Sequence, residues 1–176
     1  FMRAFSYFML ANLYGKPYHP ATANEDLCVP LNKEIGLSDK MMKRATNAAV
    51  YAQMEEDINK AIQCFKAIGG EKTIFRPNLP SAYLLASRIA LFQEKYDVTI
   101  LYCDSVFKVA TQPLYKLQEK KDHYFFSLAN KEILLSYGLT SLETHMKEDF
   151  RYTGNLVVSD DLLALYSEDD LRLTNY

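Results

Sequence analysis

The sequence predicts a mainly α protein, built from antiparallel helical hairpins joined by long loops. Three observations predict it. Apolar residues recur at steps of three and four over several stretches. Cap signals of the Ser/Thr/Asn/Asp and Gly type bracket those stretches. Two of the helical stretches, around residues 80–92 and 97–110, are joined by so few residues that they must pack antiparallel.

The first stretch, residues 4–14, is rich in Phe, Tyr, Met and Leu, with only Ser6 and Asn12 interrupting. A helix apolar nearly all round is expected to be buried. Gly15 suits its C-terminal cap and Pro17 follows at a stopping distance. Residues 16–44 read as mostly irregular, because Pro17, Pro20, Pro30 and Gly36 break any regular pattern. A loop that long in a compact domain is often functional.

The second helix has the clearest signal. Thr46 is placed to cap it, and Val50, Met54, Ile58, Ala61, Ile62, Phe65 and Ile68 form its stripe. Glu56 and Lys60 are a favourably oriented i,i+4 pair. Gly69-Gly70 ends the helix. The third helix begins at Asn78-Leu79-Pro80, with proline tolerated in the first turn, and carries Ala82, Leu85, Ala86, Ile89 and Phe92. The connection Glu94-Lys95-Tyr96 leads to Asp97 as the expected N-cap of a fourth helix, with Ile100, Cys103, Val106 and Ala110 on one face. Beyond Pro113, residues 133–137 read as a strand or extended segment, and residues 139–158 as ambiguous or loop. Ser159 caps a short helix through Tyr166, and Ser167-Glu168-Asp169-Asp170 repeats the same start signal. The whole, residues 1–176, reads as one helical domain.

Composition bounds the function. The chain has 176 residues, with 13 Tyr and 10 Phe, ample for a core. The net charge is −2. An even balance gives no footprint for nucleic acid, which needs clustered basic residues. The run Lys120-Lys121 is flanked by Glu119 and Asp122 and reads as a solvated face. Three separated cysteines suggest neither a disulfide framework nor a zinc site. Cys64 and Cys103 read as small core residues, and Cys28 as a partly exposed loop residue. No segment is long and apolar enough to span a bilayer. The chain opens on Phe1-Met2-Arg3 directly into a helical pattern, as expected of a segment cut from a longer protein.

No catalytic or metal-binding set emerges, and no cofactor is implied. Adjacent acids such as Glu55-Glu56, Asp160-Asp161 and Asp169-Asp170 point in different directions, so neither kind of pair converges on one substrate atom. His19, His123 and His145 lack metal-ligand spacing. There is no phosphate-binding glycine loop and no nucleophile elbow. Sugar binding asks for aromatic faces beside polar groups on loops. Tyr18, His19, Asn24 and Asp26 in the long loop are the first candidates, followed by Tyr115 and Tyr124. The structural alternative for Tyr18 and Tyr124 is half-buried packing. The absence of Trp, a favoured sugar platform, weighs against a complete site within this chain.

Four stretches, in order, resemble the SusD/RagB family. RAFSYFMLANLYGKPY (residues 3–18) is similar to its helix ending in an aromatic-Gly-x-Pro corner. ATANEDLCVPLN (residues 21–32) resembles the loop that follows. RATNAAVYAQMEEDINKAI (residues 44–62) resembles its Arg-x-Thr cap and Val-Tyr-x-x-(apolar)-x-x-Asp-(apolar) helix. NKEILLSY (residues 130–137) and SDDLLALYSEDDLR (residues 159–172) resemble its Asn-x-Glu element and paired helices. Between them, residues 75–107 look like the family's helix pair of tetratricopeptide type, with Ser87 and Thr99 at small packing positions.

The resemblance implies a partial SusD-like α/α fold and a non-enzymatic role. It implies a protein at the outer-membrane surface of Bacteroidetes that binds an oligosaccharide or other nutrient. Its implied partner is a SusC-like TonB-dependent transporter, and its membrane association is through a lipid anchor outside this segment. The alternative is a tetratricopeptide-type scaffold for protein–protein interaction, which needs at least three stacked helical pairs.

Overall fold

The computed structural model describes residues 1–34, 36, 41–69, 73–110, 132–136, 159–167 and 169–170. The chain divides into two compact units, Phe1–Thr111 and Gln112–Tyr176. The described elements are helices apart from one small two-stranded sheet, and the mainly α class holds.

Helix α1, Met2–Tyr14, buries Ala4, Tyr7, Phe8 and Ala11. These four make one stripe at helical spacing. The expectation of burial all round is therefore corrected. Residues 47–68 and 27–30 pack on α1, while Met9, Leu13 and Tyr14 stay exposed. Gly15 follows with an ordinary extended φ of −89°. What requires glycine there is space: a Cβ would lie 2.6 Å from Ala11 O and 2.8 Å from Cys28 Sγ.

The segment expected to be irregular contains one strand and ends on the first residue of another. β1, Leu27–Pro30, pairs antiparallel with β2, Arg44–Thr46, with an irregularity in register between Leu27 and Pro30. Strands this short show no alternation that a pattern can detect, which is why they escape a sequence reading. Cys28 in β1 is fully buried, whereas Cys64 is exposed and Cys103 half-buried. All three cysteine expectations are thereby corrected: β1 faces the end of α1, and Cys64 turns off the packed stripe of α2.

α2, Asn47–Ile68, starts at Thr46, whose hydroxyl accepts from the Ala49 N–H at 3.3 Å. Val50, Met54, Ile58, Ala61 and Ile62 are buried as the stripe requires. Phe65 is half-buried and Ile68 exposed, so the packed face stops a turn before the helix does. Glu56 and Lys60 pair at 2.5 Å. Gly69 ends the helix in the left-handed region, φ +54°, where glycine carries no Cβ penalty. Gly70 lies outside the described residues.

α3, Leu79–Phe92, opens on a capping box. The Ser81 N–H donates to Asn78 Oδ1 at 3.0 Å and the Asn78 N–H to Ser81 Oγ at 2.9 Å. Ala82, Leu85, Ala86 and Ile89 are buried. Phe92 is partly exposed, with its ring edge-on to Phe8 at 5.1 Å. α4, Tyr96–Val109, packs on α3 across a three-residue turn. Glu94 turns the chain at φ +63°. The N-cap is Lys95 and Asp97 sits inside the first turn, one correction to the expected start. A second concerns the apolar face: Val106 is buried, Cys103 and Ala110 are half-buried and Ile100 is exposed, because α3 covers only one side of α4.

In the second unit, residues 133–136 form no strand. α5, Asp160–Leu163, is capped by Ser159, whose Oγ accepts from the Leu162 N–H at 3.3 Å. It gives way to turns before Tyr166. At Asp170 a turn closes back on Ser167 O. Tyr137, residues 139–158 and Glu168 lie outside the described residues, as do His123, His145 and the basic run at Lys120.

Candidate functional site

The loop between α1 and β1 carries four of the candidate side chains, and it is docked on the first turn of α2. A helix start leaves backbone N–H groups without intrahelical partners. Here the loop supplies acceptors. The Asn47 N–H donates to Asp26 O and the Ala48 N–H to Ala23 O, each at 2.8 Å. The buried Asn47 amide adds a bond from Nδ2 to Lys16 O at 3.0 Å. Within the loop, the N–H groups of Thr22 and Ala23 both return to His19 O.

Asp26 is the hub of this loop. Oδ1 accepts from Lys16 Nζ and Oδ2 from the Thr22 hydroxyl, each at 2.5 Å. The Lys16 bond, then the Thr22 bond, holds its carboxyl below the usual carboxylate range. Both oxygens are thus engaged inside the loop. Tyr18 lies half-buried against the ring of Tyr51 at 4.7 Å. Tyr51 is buried in α2, and that burial pushes its phenol up to about 12. His19 and Asn24 are exposed, and His19 Nδ1 accepts from the Ala21 N–H at 3.3 Å. Tyr18 and His19 therefore stand on a loop hydrogen-bonded to the start of α2. Tyr115 and Tyr124 lie outside the described residues.

Below the loop, Arg44 in β2 clamps the partner strand, donating from Nε to Cys28 O at 2.5 Å and from Nη2 to Leu27 O at 2.8 Å. Asn47 and Arg44 went unremarked as loop anchors in the sequence. Their signal was adjacency to the Thr46 cap.

A second feature lies on the helices. Helices α2, α3 and α4 enclose an open cleft of about 190 Å³. Its floor is apolar, including Ile58, Ala86 and Ile89, and its rim carries Glu55, Asn59, Lys95 and Tyr102. Lys95 Nζ pairs with Glu55 Oε1 at 2.5 Å, and the Tyr102 hydroxyl donates to Asn59 Oδ1 at 3.0 Å. Among the described residues, no group of His, Cys, Asp and Glu is arranged to hold a metal ion.

Residues 1–91 match a family model described as "SusD-like: starch-binding associating with outer membrane". Among solved structures, the chain is similar to a SusD superfamily protein from Bacteroides thetaiotaomicron, with 26% identity and a TM-score of 0.59 over 66% of this chain and 25% of that one. It is also similar in fold to a protein described as sugar binding from Bacteroides vulgatus, with 22% identity and a TM-score of 0.50 over 61% of this chain and 23% of that one. The chain therefore spans about a quarter of the length of the solved structures it matches. No curated protein matches the sequence.

Proposed function

Because the chain belongs to the SusD-like family, we propose that it is part of the non-enzymatic glycan- or nutrient-binding component of an outer-membrane uptake system. In this reading the protein sits at the cell surface. It hands an oligosaccharide or other nutrient to a SusC-like, TonB-dependent transporter. The observation that carries the proposal is the family match over residues 1–91, which takes in α1, the loop, both strands, α2 and nearly all of α3.

The ligand contacts proposed for this segment are Tyr18, His19 and Asn24, with Asp26 shaping the loop that presents them. An aromatic ring with nearby amide and imidazole edges suits a sugar, whose C–H face stacks while its hydroxyls bond. Tyr115 and Tyr124 remain candidates on the same chemical grounds.

The test is equilibrium binding of the intact protein to a panel of soluble starch oligosaccharides and other glycans, with the ligand recovered and analysed. Saturable binding with the glycan returned unchanged is expected. Failure to bind any glycan or other nutrient, or turnover abolished by replacing one carboxylate, would overturn the proposal.

A further inference from the structure

We propose that the outer face of α4 is a packing surface for a further helix of the same polypeptide. The proposal concerns how the helical array continues, and it stands whatever ligand the protein binds.

The pattern on α4 is the first argument. The helix carries two apolar stripes. Tyr102, Val106 and Val109 make the inner one, on the side packed against α3. Val106 is buried and the other two are half-buried, and the Tyr102 ring lies 6.3 Å from that of Tyr83 in α3. Tyr96, Ile100, Cys103 and Phe107, at steps of four, three and four, make the outer one. Tyr96, Ile100 and Phe107 are 61%, 59% and 62% exposed. The stripes lie roughly 100° apart round the axis, and Asp97, Asp104 and Lys108 fill the remaining, solvated side. The apolar arc therefore covers about half of the circumference, wider than the ~100° with which a surface helix faces its core.

The occupant is the second. A helical array ends on a helix with a polar outer face, and α4 lacks one. Its outer stripe has the spacing of a helix-on-helix seam. The stripe holds no charge, which suits permanent burial better than transient docking. The chain accounts for 25% of the related chain from Bacteroides thetaiotaomicron, so most of that fold lies beyond it. A helix supplied from the same polypeptide is also present at high effective concentration.

The experiment is maleimide labelling of the purified intact protein, native and urea-unfolded, resolved by peptide mass spectrometry. Two thiols report on the stripe: Cys103 in the unaltered protein, and a cysteine introduced as Ile100→Cys. Both are expected to label at least about tenfold more slowly in the native monomer, with no change on dilution. Should Ile100→Cys fail to fold, Cys103 alone carries the test. Native labelling within about tenfold of the unfolded rate would overturn the proposal. So would protection lost on dilution, which would assign the face to a second copy. Protection present only with an outer-membrane channel bound would assign it to that partner and overturn the proposal as well.

Discussion

Arg3, at the start of α1, grips Asp57 in the middle of α2 through two parallel bonds, Nε to Oδ2 at 2.6 Å and Nη2 to Oδ1 at 2.5 Å. Gln53 Nε2 adds a third bond to Asp57 Oδ1 at 3.0 Å. Asp57 is almost wholly buried, while Arg3 keeps 44% of its side-chain exposure. The two residues are 54 positions apart, and each lies in a stretch that carries the family resemblance. Their pairing joins the first two helices that the family model covers.

Removing one partner of a buried pair leaves the other uncompensated. Arg3→Ala is expected to cost about 2 kcal/mol, less than a fully buried pair because Arg3 is partly solvated. The Arg3 bond is the main cause that holds the Asp57 carboxyl below its usual range. A depressed folded value means that this stabilisation is complete above the unfolded carboxyl value. It is lost as pH falls through the folded one. Urea unfolding at neutral and acid pH checks this. The Arg3→Ala protein should unfold at higher pH than the parent, and the gap between the two should close at the acid end.

Gly15→Ala tests close packing separately from backbone freedom. With φ at −89°, alanine suffers no conformational strain. Its Cβ would instead press on the Ala11 carbonyl and the Cys28 sulfur. Overpacking of this kind costs about 2 kcal/mol. Adding Cys28→Ala relieves only the sulfur contact, so the penalty should shrink but persist. A neutral Gly15→Ala in thermal unfolding would contradict the packing.

The loop residues should separate into two groups. Tyr18→Ala, His19→Ala and Asn24→Ala are expected to weaken glycan binding by the intact protein about tenfold or less each, with stability changed by less than about 1 kcal/mol. Asp26→Ala should instead loosen the loop, because Lys16 and Thr22 lose their common acceptor. Faster amide exchange at Asn47 and Ala48, whose N–H groups bond the loop, is the readout.

Among the described residues, Tyr51 should be a late-titrating tyrosine. Its phenol, pushed up to about 12 by burial, keeps its proton while exposed tyrosines ionise near pH 10. A raised folded value gives stability that is complete below the unfolded value and lost as pH rises through the folded one. Alkaline difference absorbance should show late ionisation near the unfolding transition, and Tyr51→Phe should reduce it by one tyrosine.

Much of this architecture was legible in the residues. The α2 stripe from Val50 to Ile62, the Thr46 cap, Gly69 and the Asn78-Leu79-Pro80 start all act within a few residues, where periodicity and capping chemistry are local. What escaped depends on tertiary partners. Asp57 is a charge on a packed face, and its chief partner, Arg3, is 54 positions away. Cys28 and Cys64 exchanged their expected burial because which side of an element is covered depends on its neighbours. Ile100 on α4 and Met9 on α1 belong to apolar runs whose outer sides α3 and α2 do not reach. The candidate loop was legible as a proline-broken segment with Tyr18 and His19. Its docking on Asn47, and the rim of Glu55, Asn59, Lys95 and Tyr102, require the fold.

The central claim is that this chain belongs to a nutrient-binding component working beside an outer-membrane transporter. Membrane fractionation of the native host, followed by affinity purification of the intact protein, tests it most directly. The account predicts partition with the outer membrane and co-purification of a TonB-dependent channel. A cytosolic protein recovered without any channel would contradict it.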